Sequence, residues 1–585
     1  MYNVVIIGGM AAGCKAAARL SRLSKNYQIT IVEKSPLISF SRCGLPLYAS
    51  GELNDLAALT STSYGIVRDE KYFNDVKGIK VLTGTEVKLI DPRKKEIECF
   101  SLVNHELFNL MYDYLIISTG SKITAPSFSI CESDFISSFY SPADAKKFRE
   151  LVQKGEINKA VIIGAGFIGC ELAESLTSLW GIETILIEKE KTILPGCLDK
   201  EMAAYAESAI KSDKVMPLLS TSVEKIERDQ MGHPRVILDN GQKISSDYVF
   251  YCPGVKPDTD LAQMADIKTG RFGGILVDEQ MRTSVPDIWA AGDCVEIKNF
   301  VTGEPEHFSY GSLANRMGRV AADSIAGRKT TFNGSSGTFS LKFFDTIISA
   351  VGLSEKKAAG HGYITGSVIG CWSDRPDFHP QAKNLVCKLV YEKPGLKLLG
   401  IQIIGEGEVT RYTDVFSNLL ADKKNIYDLI NLEHGYTPAH SSPISVLNNL
   451  GYMTLNQELE GIINFNPLRF PKFKGICVDV RETEEINNYP FTENTLQIPL
   501  PEIRTRLFDL KNNIGTAQPL LIICEKGPRS YEAAKILMNN GFNNAAYLAG
   551  GHFFYDKISR SSAFGLYEIE NKEMFDVSME KSYEG

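Results

Sequence analysis

Twice in this sequence an apolar strand runs into a glycine-rich turn, a helix and a second strand that ends on glutamate. The first copy is Val4-Val5-Ile6-Ile7, Gly8-Gly9-Met10-Ala11-Ala12-Gly13, a helical pattern from Cys14 to Ser24, and Ile29-Thr30-Ile31-Val32 ending at Glu33. The second is Ala160-Val161-Ile162-Ile163, Gly164-Ala165-Gly166-Phe167-Ile168-Gly169, a helix from Cys170 to Trp180, and Thr184-Ile185-Leu186-Ile187 ending at Glu188. Each is a βαβ dinucleotide fingerprint in its expected context. The first glycine makes the tight turn and the last lets helix and strand pack closely. The glutamate, about twenty residues on, accepts from a ribose hydroxyl. Met10 stands where the middle glycine of the first copy is usual. Two such units predict an α/β fold with two Rossmann-like dinucleotide-binding domains. Glu188 would repel a 2′-phosphate and favours NADH, while Lys189 and Lys191 keep NADPH open. Glu171 and Glu174 follow the second turn; they either approach a nicotinamide or only cap and solvate the helix.

The remaining totals narrow the class. At 585 residues the chain exceeds one core, and three or four domains are expected. A net charge of −8 argues against a nucleic-acid binder. No run of eighteen apolar residues predicts a membrane helix, and the first strand starts at once, so no signal peptide is expected. Twelve cysteines without a CxxC pair suit a reducing, cytoplasmic setting. Eight histidines without an HExxH motif or close cluster predict no metal.

The stretch Ser39-Phe40-Ser41-Arg42-Cys43-Gly44-Leu45-Pro46 holds a cysteine with no second one nearby. Alone, such a thiol reads as a small buried hydrophobe. Beside a nucleotide fold it suggests redox chemistry. Farther on, Tyr112 to Gly120 and Thr283 to Cys294 are strands ending in small residues, the second in Gly292-Asp293, and Leu313 to Ala321 opens a helix with a small-residue face. Lys15, Arg19 and Arg22 share one face of the first helix, either solvated or set along an anionic ligand.

Together these segments resemble the two-dinucleotide flavoprotein disulfide reductases. The resemblance implies FAD on Gly8, Gly9, Met10, Ala11, Ala12, Gly13, Glu33 and Lys34, with Arg42, Cys43, Thr119, Gly120, Gly292 and Asp293 completing its site. It implies NADH or NADPH on Gly164, Gly166, Phe167, Ile168, Gly169 and Glu188. Tyr48 stands where a CxxxxC pair would place its second cysteine, so the Ser-Phe-x-x-Cys-Gly-Leu-Pro form is similar to the single-cysteine branch: coenzyme A-disulfide reductases, NADH oxidases and NADH peroxidases. There the cysteine cycles between thiolate and a mixed disulfide or sulfenic acid. A low thiol pKa, helped by flavin, helix and Arg42, is expected to keep it nucleophilic. Coenzyme A contacts carried over by position are Lys15, Arg19, Arg22, Ser39, Arg42, Lys71 and Asn315, a cation-rich set suited to several phosphates.

From about Phe332 a strand-rich pattern is similar to that family's dimerisation domain and implies a homodimer. Tyr436, in Glu433-His434-Gly435-Tyr436-Thr437-Pro438, matches the tyrosine that protonates a leaving thiolate, with a buried structural tyrosine as the alternative. A second tyrosine of the family has no counterpart in Arg375-Pro376-Asp377-Phe378-His379-Pro380. The last hundred residues hold Asp479-Val480-Arg481, Ile498-Pro499-Leu500, Cys524-x4-Arg529-Ser530 and Gly550-Gly551. A cysteine between a strand and a helix N-terminus makes an anion cradle. This ordered set resembles a rhodanese domain, which implies a persulfide on Cys524 and Arg529 shaping the loop or binding the anion. Phosphatase-type cradles place five residues between cysteine and arginine; here there are four.

The expected boundaries are a FAD-binding domain over 1–142 and 256–330, an NAD(P)H-binding domain over 143–255, a dimerisation domain over 331–456, a linker over 457–470, a rhodanese domain over 471–565 and a tail over 566–585. The whole resembles fused coenzyme A-disulfide reductase–rhodanese proteins, including NAD(P)H-dependent polysulfide or persulfide reductases. Electrons would pass from NAD(P)H through FAD to Cys43, with Cys524 carrying sulfane sulfur and small-molecule sulfur compounds and coenzyme A as substrates. Alternatives are an NADH oxidase or peroxidase cycling through Cys43 sulfenate, and a sulfur carrier or redox sensor with little turnover.

Overall fold

The computed structural model describes residues 1–210, 214–492, 495–561 and 564. The expected tail, 566–585, lies outside them. The chain divides into two compact units, Met1–Lys189 with Ser212–Gly337, and Glu190–Lys211 with Thr338–Gly585.

The first unit is built on two parallel five-stranded sheets. One has the order Ile288–Ala290, Tyr114–Ile117, Tyr2–Ile7, Tyr27–Val32, Lys80–Leu82. Val4, Ile6, Leu115, Ile116 and Ile117 have no exposed surface, as central parallel strands covered on both faces require. The chain leaves this sheet and returns to its edge at Ile288–Ala290, followed by a return helix, Gly311–Ile325. That helix lies against the first loop helix, Ala11–Leu23; a Cβ on Gly318 would sit 2.2 Å from the Ala12 carbonyl oxygen, so only glycine permits the approach. The other sheet has the order Ile136–Ser137, Tyr248–Tyr251, Lys159–Ile163, Glu183–Ile187, Val215–Leu218, and carries the second loop helix, Phe167–Ser178. Both glycine turns therefore sit where a central strand ends and its helix begins.

The second unit joins an antiparallel to a parallel sheet. The antiparallel order is Phe339–Phe343, Thr346–Gly352, Leu398–Gly405, Asn384–Glu392, Thr365–Ser373. Leu398–Gly405 is buried along its whole length, and Asn384–Glu392 everywhere but its two ends. The parallel order is Ile463–Phe465, Ala545–Leu548, Leu520–Ile523, Ile476–Asp479, Thr495–Gln497.

Two boundaries differ from those read in the sequence. The stretch 457–470 is not a linker: helix Val446–Glu460 runs into it and ends on left-handed Gly461, and Ile463–Phe465 becomes the edge strand of the parallel sheet. Periodicity alone missed the three-residue strand because it is defined by its pairing with Ala546–Leu548. Glu190–Lys211 belongs with the second unit rather than with 143–255. It is held there by polar contacts that no local pattern reveals. The side chain of Gln402 accepts from the Asp199 amide at 2.8 Å and donates to its carboxylate at 2.7 Å. The Tyr205 ring lies 6.0 Å from Phe554.

Candidate active site

Contacts explain the glycines of both turns. Gly8 has φ +99°, and a Cβ there would meet the Ser118 carbonyl oxygen at 2.2 Å. A Cβ on Gly13 would meet the Gly8 oxygen at 1.9 Å; in the second turn Gly169 and Gly164 repeat the same 1.9 Å approach. Met10, at φ −100°, is the N-cap of the first loop helix and needs no glycine. Its side chain caps nothing, and no acid stands in the first turn. Gly166 caps the second loop helix in the same open way, and a Cβ on it would meet nothing within 4 Å. Ala11, Ala12, Phe167 and Ile168 occupy the first turns of these helices. Helix N-termini of this kind direct their first N–H groups outward along the axis, the geometry that suits an anion.

Glu33 and Glu188 do more than await a ribose. Glu33 accepts from the Gly9 amide at 2.6 Å and the Ser35 amide at 2.8 Å, and Glu188 accepts from the Ala165 amide at 2.8 Å. Each braces its own turn. Burial pushes the Glu33 carboxyl above the usual range, against the pull of those amides and Arg42. Lys34 is exposed and paired with Glu86 at 2.9 Å. The Thr119 hydroxyl donates to the Asp258 carbonyl at 2.6 Å, and Gly120, at φ +75°, has open space beside it. Asp293 follows left-handed Gly292 and accepts from the Ser121 hydroxyl at 3.3 Å. Burial raises its carboxyl, while His307 and Arg42 draw it down.

Cys43 lies in a single 3₁₀ turn, Arg42–Gly44, that leads into the short helix Leu45–Ser50, and it is exposed. This helix is fastened to the second loop helix. The Trp180 indole N–H donates to the Ala49 carbonyl at 2.7 Å, and the Ser175 hydroxyl to the Pro46 carbonyl at 3.3 Å. Tyr48, in the place of a second cysteine, lies under the Arg149 guanidinium at 4.6 Å, and Arg149 also donates to the Leu53 carbonyl. Arg42 stacks 3.7 Å above the Tyr140 ring, and its buried Nε makes no hydrogen bond. No sequence signal marks Arg149, Trp180 or Tyr140, since each acts through a contact from a distant segment.

The expected low thiol pKa is not supplied by these side chains. Although the residue reaches solvent, the protein atoms crowding its sulfur partly desolvate it and push the thiol up, and Glu171 and then Asp293 push it further; its backbone amide and Arg42 pull the other way. Burial, with Glu174 adding, raises Glu171 itself to about 7. Glu171 is protonated below that pH and anionic above it, so it opposes the thiolate most strongly on the alkaline side. Glu171→Gln is expected to move the pH midpoint of Cys43 alkylation downward, read by mass spectrometry of the Cys43 peptide. An unchanged or higher midpoint contradicts the coupling.

The basic face separates into two kinds of residue. Lys15 and Arg22 are exposed. Arg19 is instead held by the buried Asp323 of the return helix at 2.7 Å, a tertiary pairing that makes it structural. Ser39, at φ +56°, gives its amide to the Gly9 carbonyl at 2.8 Å. Lys71 is paired with Asp75 one helical turn on, and Asn315 donates to the Gly311 carbonyl at 2.8 Å within its own helix.

In the second unit, strand Leu520–Ile523 ends at Cys524, which is 1% exposed, and the helix Pro528–Met538 begins just beyond. Gly527, at φ +121°, aims its N–H at the Cys524 sulfur at 3.1 Å, and the Ser530 hydroxyl lies 3.4 Å away. Arg529, expected to shape the loop or bind the anion, is committed to Glu485 through two 2.7 Å bonds. The pairing holds the Glu485 carboxyl down at about 2, although burial opposes it. Wholly buried Arg481 donates to Asp479 and to the Tyr489 carbonyl, while its Nη1 makes no hydrogen bond and stands 3.7 Å from Glu525. Lys526 bonds Asp377 and Ser373, each at 3.1 Å. Tyr436 is 50% exposed, so it is not a buried structural tyrosine. Its loop is tied to the segment Arg375–Pro380 by a 3.1 Å bond from Arg375 to the Ala439 carbonyl. Among the described residues no group of three or more His, Cys, Asp or Glu could hold a metal ion, and no helix is long and apolar enough to cross a membrane.

Residues 2–314 match the family "pyridine nucleotide-disulphide oxidoreductase", and 338–443 match its dimerisation domain. A NAD-dependent persulfide reductase from A. fulgidus superposes with TM-score 0.89 at 36% identity, covering 94% of this chain and 99% of that one. An NAD(P)H coenzyme A polysulfide/persulfide reductase of Pyrococcus horikoshii is 29% identical over 72% of this chain and 91% of its own. A protein of Methanocaldococcus jannaschii named NADH oxidase is also 29% identical, over 76% of this chain and 96% of its own.

Proposed function

The chain belongs to the pyridine nucleotide-disulphide oxidoreductase family, and on that footing we propose that it reduces sulfur–sulfur bonds through Cys43, with FAD and NAD(P)H as cofactors and a coenzyme A disulfide, coenzyme A persulfide or polysulfide as oxidant. The observation that carries this reading is the solitary, exposed Cys43 in the 3₁₀ turn before a helix fastened to the second loop helix, with Tyr48 and Arg149 filling the place of a resolving cysteine.

The first turn fits FAD. Its glycine cradle, its uncapped helix and the buried, unbonded Nε of Arg42 suit a pyrophosphate, and Asp293 suits polyol hydroxyls. The second turn, braced by Glu188, suits NAD(P)H. Bound FAD supplies two-electron transfer between nicotinamide and sulfur, which no side chain here provides. Cys43 as thiolate attacks one sulfur of the oxidant, forming a mixed disulfide as the original S–S bond breaks and a thiolate leaves. Tyr436, exposed on its loop, is assigned as the proton donor to that thiolate. Lys15 and Arg22 are assigned to the phosphates of coenzyme A. The last parallel sheet acts as a rhodanese-type domain in which Cys524 carries sulfane sulfur for reduction at Cys43. Residues 338–443 serve a homodimer.

The test is steady-state NADH oxidation with coenzyme A disulfide, coenzyme A persulfide, polysulfide and oxygen as competing oxidants. Sulfur substrates are expected to dominate. Cys524→Ser is expected to lower sulfide release from coenzyme A persulfide severalfold while sparing coenzyme A disulfide. If Cys524→Ser leaves sulfide release unchanged, the rhodanese role is wrong. The relative named NADH oxidase favours a second reading, with Cys43 cycling through sulfenate. Oxygen consumption without a sulfur substrate would establish it in place of the first. A carrier or sensor would instead show persulfide on Cys524 with little NADH turnover.

A further inference from the structure

We infer that Cys524 selects sulfur donors by charge, loading from a persulfide whose sulfur end is uncharged apart from the sulfur itself and rejecting an inorganic dianion such as thiosulfate. This rests on the proposed sulfur-carrying role of Cys524 and adds to it the class of donor.

A cradle for a dianion needs a surplus of positive charge around the sulfur. Among the described residues, the cations near Cys524 already have carboxylates. Arg529, which lies in the electrostatic field of the Cys524 sulfur, is held by Glu485 through both arms of its guanidinium. Lys526 is drawn onto Asp377. Arg481 is bound through Nε and Nη2 to Asp479. The residue directly after the cysteine adds a fourth carboxylate, Glu525, against these three cations. Glu525 stands 3.7 Å from Arg481 and 3.8 Å from the His552 ring. Burial and then Arg481 hold His552 below its ordinary pKa, so it adds no cation near neutral pH. Cys524 and Arg481 are buried, which weakens solvent screening around them.

The attraction that remains is short-ranged. The Gly527 N–H donates to the sulfur, while the Ser530 hydroxyl gives its own proton to the Gly527 carbonyl and accepts from the Cys524 thiol. A single N–H dipole suits the single charge of a cysteine thiolate or persulfide and cannot offset a sulfonate group beside Glu525. Specificity of this kind comes from a repulsive element built against the wrong ligand.

The transfer balances without another reactant. The Cys524 thiolate attacks the outer sulfur of R–S–SH. The new bond joins Cys524 to that sulfur and the old S–S bond breaks. The proton on the transferred sulfur then passes to the departing, more basic thiolate, giving R–SH and Cys524–S–S⁻. Thiosulfate would give the same product with sulfite leaving.

The experiment uses the full-length protein, with N-acetylcysteamine persulfide as the uncharged-end donor and thiosulfate as the dianion. Loading of Cys524 is followed as gain of one sulfur atom by mass spectrometry of its peptide. The expected result is loading from the neutral donor faster than from thiosulfate by roughly a hundredfold, with Glu525→Gln raising the thiosulfate-to-neutral ratio about tenfold. Glu485→Gln, which releases Arg529, is expected to raise the same ratio independently. Comparable wild-type loading from both donors overturns the inference, as does a ratio that neither substitution moves. Loading from neither donor instead overturns the sulfur-carrying role of Cys524 itself.

Discussion

Cys43→Ser is expected to abolish NAD(P)H-dependent reduction of coenzyme A disulfide and persulfide, with a loss of about a thousandfold or more, the scale seen when a sole nucleophile is removed. Serine preserves the size and the turn Arg42–Gly44, so the fold is retained. A hydroxyl neither attacks sulfur at neutral pH nor stores electrons as a disulfide. Transfer from NAD(P)H to a dye acceptor should survive, because both glycine turns lie outside the substitution. The measurement is a paired assay, sulfur substrate against dye, on one preparation. Residual sulfur reduction above a few per cent would mean that another cysteine carries the chemistry. The other cysteines are poor substitutes: burial raises the Cys14, Cys99, Cys252 and Cys371 thiols to about 12.

The second large effect concerns stability. Lys388, in the middle of a strand, has no exposed surface and pairs with Asp199 at 3.0 Å, Glu201 at 2.5 Å and Glu355. Burial alone would depress its pKa; Glu201, Asp199 and Glu355 outweigh burial and raise it. The ammonium therefore stays charged at any ordinary pH. Lys388→Met fills a similar volume but leaves the carboxylates without their cation. Breaking a buried pair by removing one partner costs about 3–5 kcal/mol, and the loss should fall on the second unit. Hydrogen exchange in the helix Lys200–Ser208 and the midpoint of urea unfolding would both register it. A loss below about 1 kcal/mol would show that the carboxylates take up protons at little cost. In that case a lower pH should restore stability by protonating them.

Much of the fold was legible because its signals are local. The two turns announce themselves through glycines whose neighbours are fixed by the strand–helix geometry, and Gly13 and Gly169 make the same 1.9 Å approach. Met10 departs from the motif without consequence, because an N-cap at φ −100° accepts any side chain. Cys43 and Cys524 were also identifiable, since each sits at a strand or turn junction with a distinctive spacing. Ile463–Phe465 was hidden in an expected linker because three residues carry too little periodicity to announce a strand.

Charge partners were the least visible. The sequence shows a basic face of Lys15, Arg19 and Arg22, yet Arg19 is claimed by an aspartate 304 positions away. It shows Arg529 beside a reactive cysteine, yet Glu485 has already taken that guanidinium. It suggests a lowered Cys43 pKa, yet burial and Glu171 raise it. By itself the sequence determined the two nucleotide turns, the solitary cysteine without a partner at Tyr48, and the second cysteine between strand and helix. These depend on steric rules within a few residues. Only the tertiary structure decided which cations stay available to a ligand, which carboxylates oppose a thiolate, and that Glu190–Lys211 belongs with the second unit. Electrostatic pairing and burial are set by segments far apart in sequence, and no local pattern encodes them.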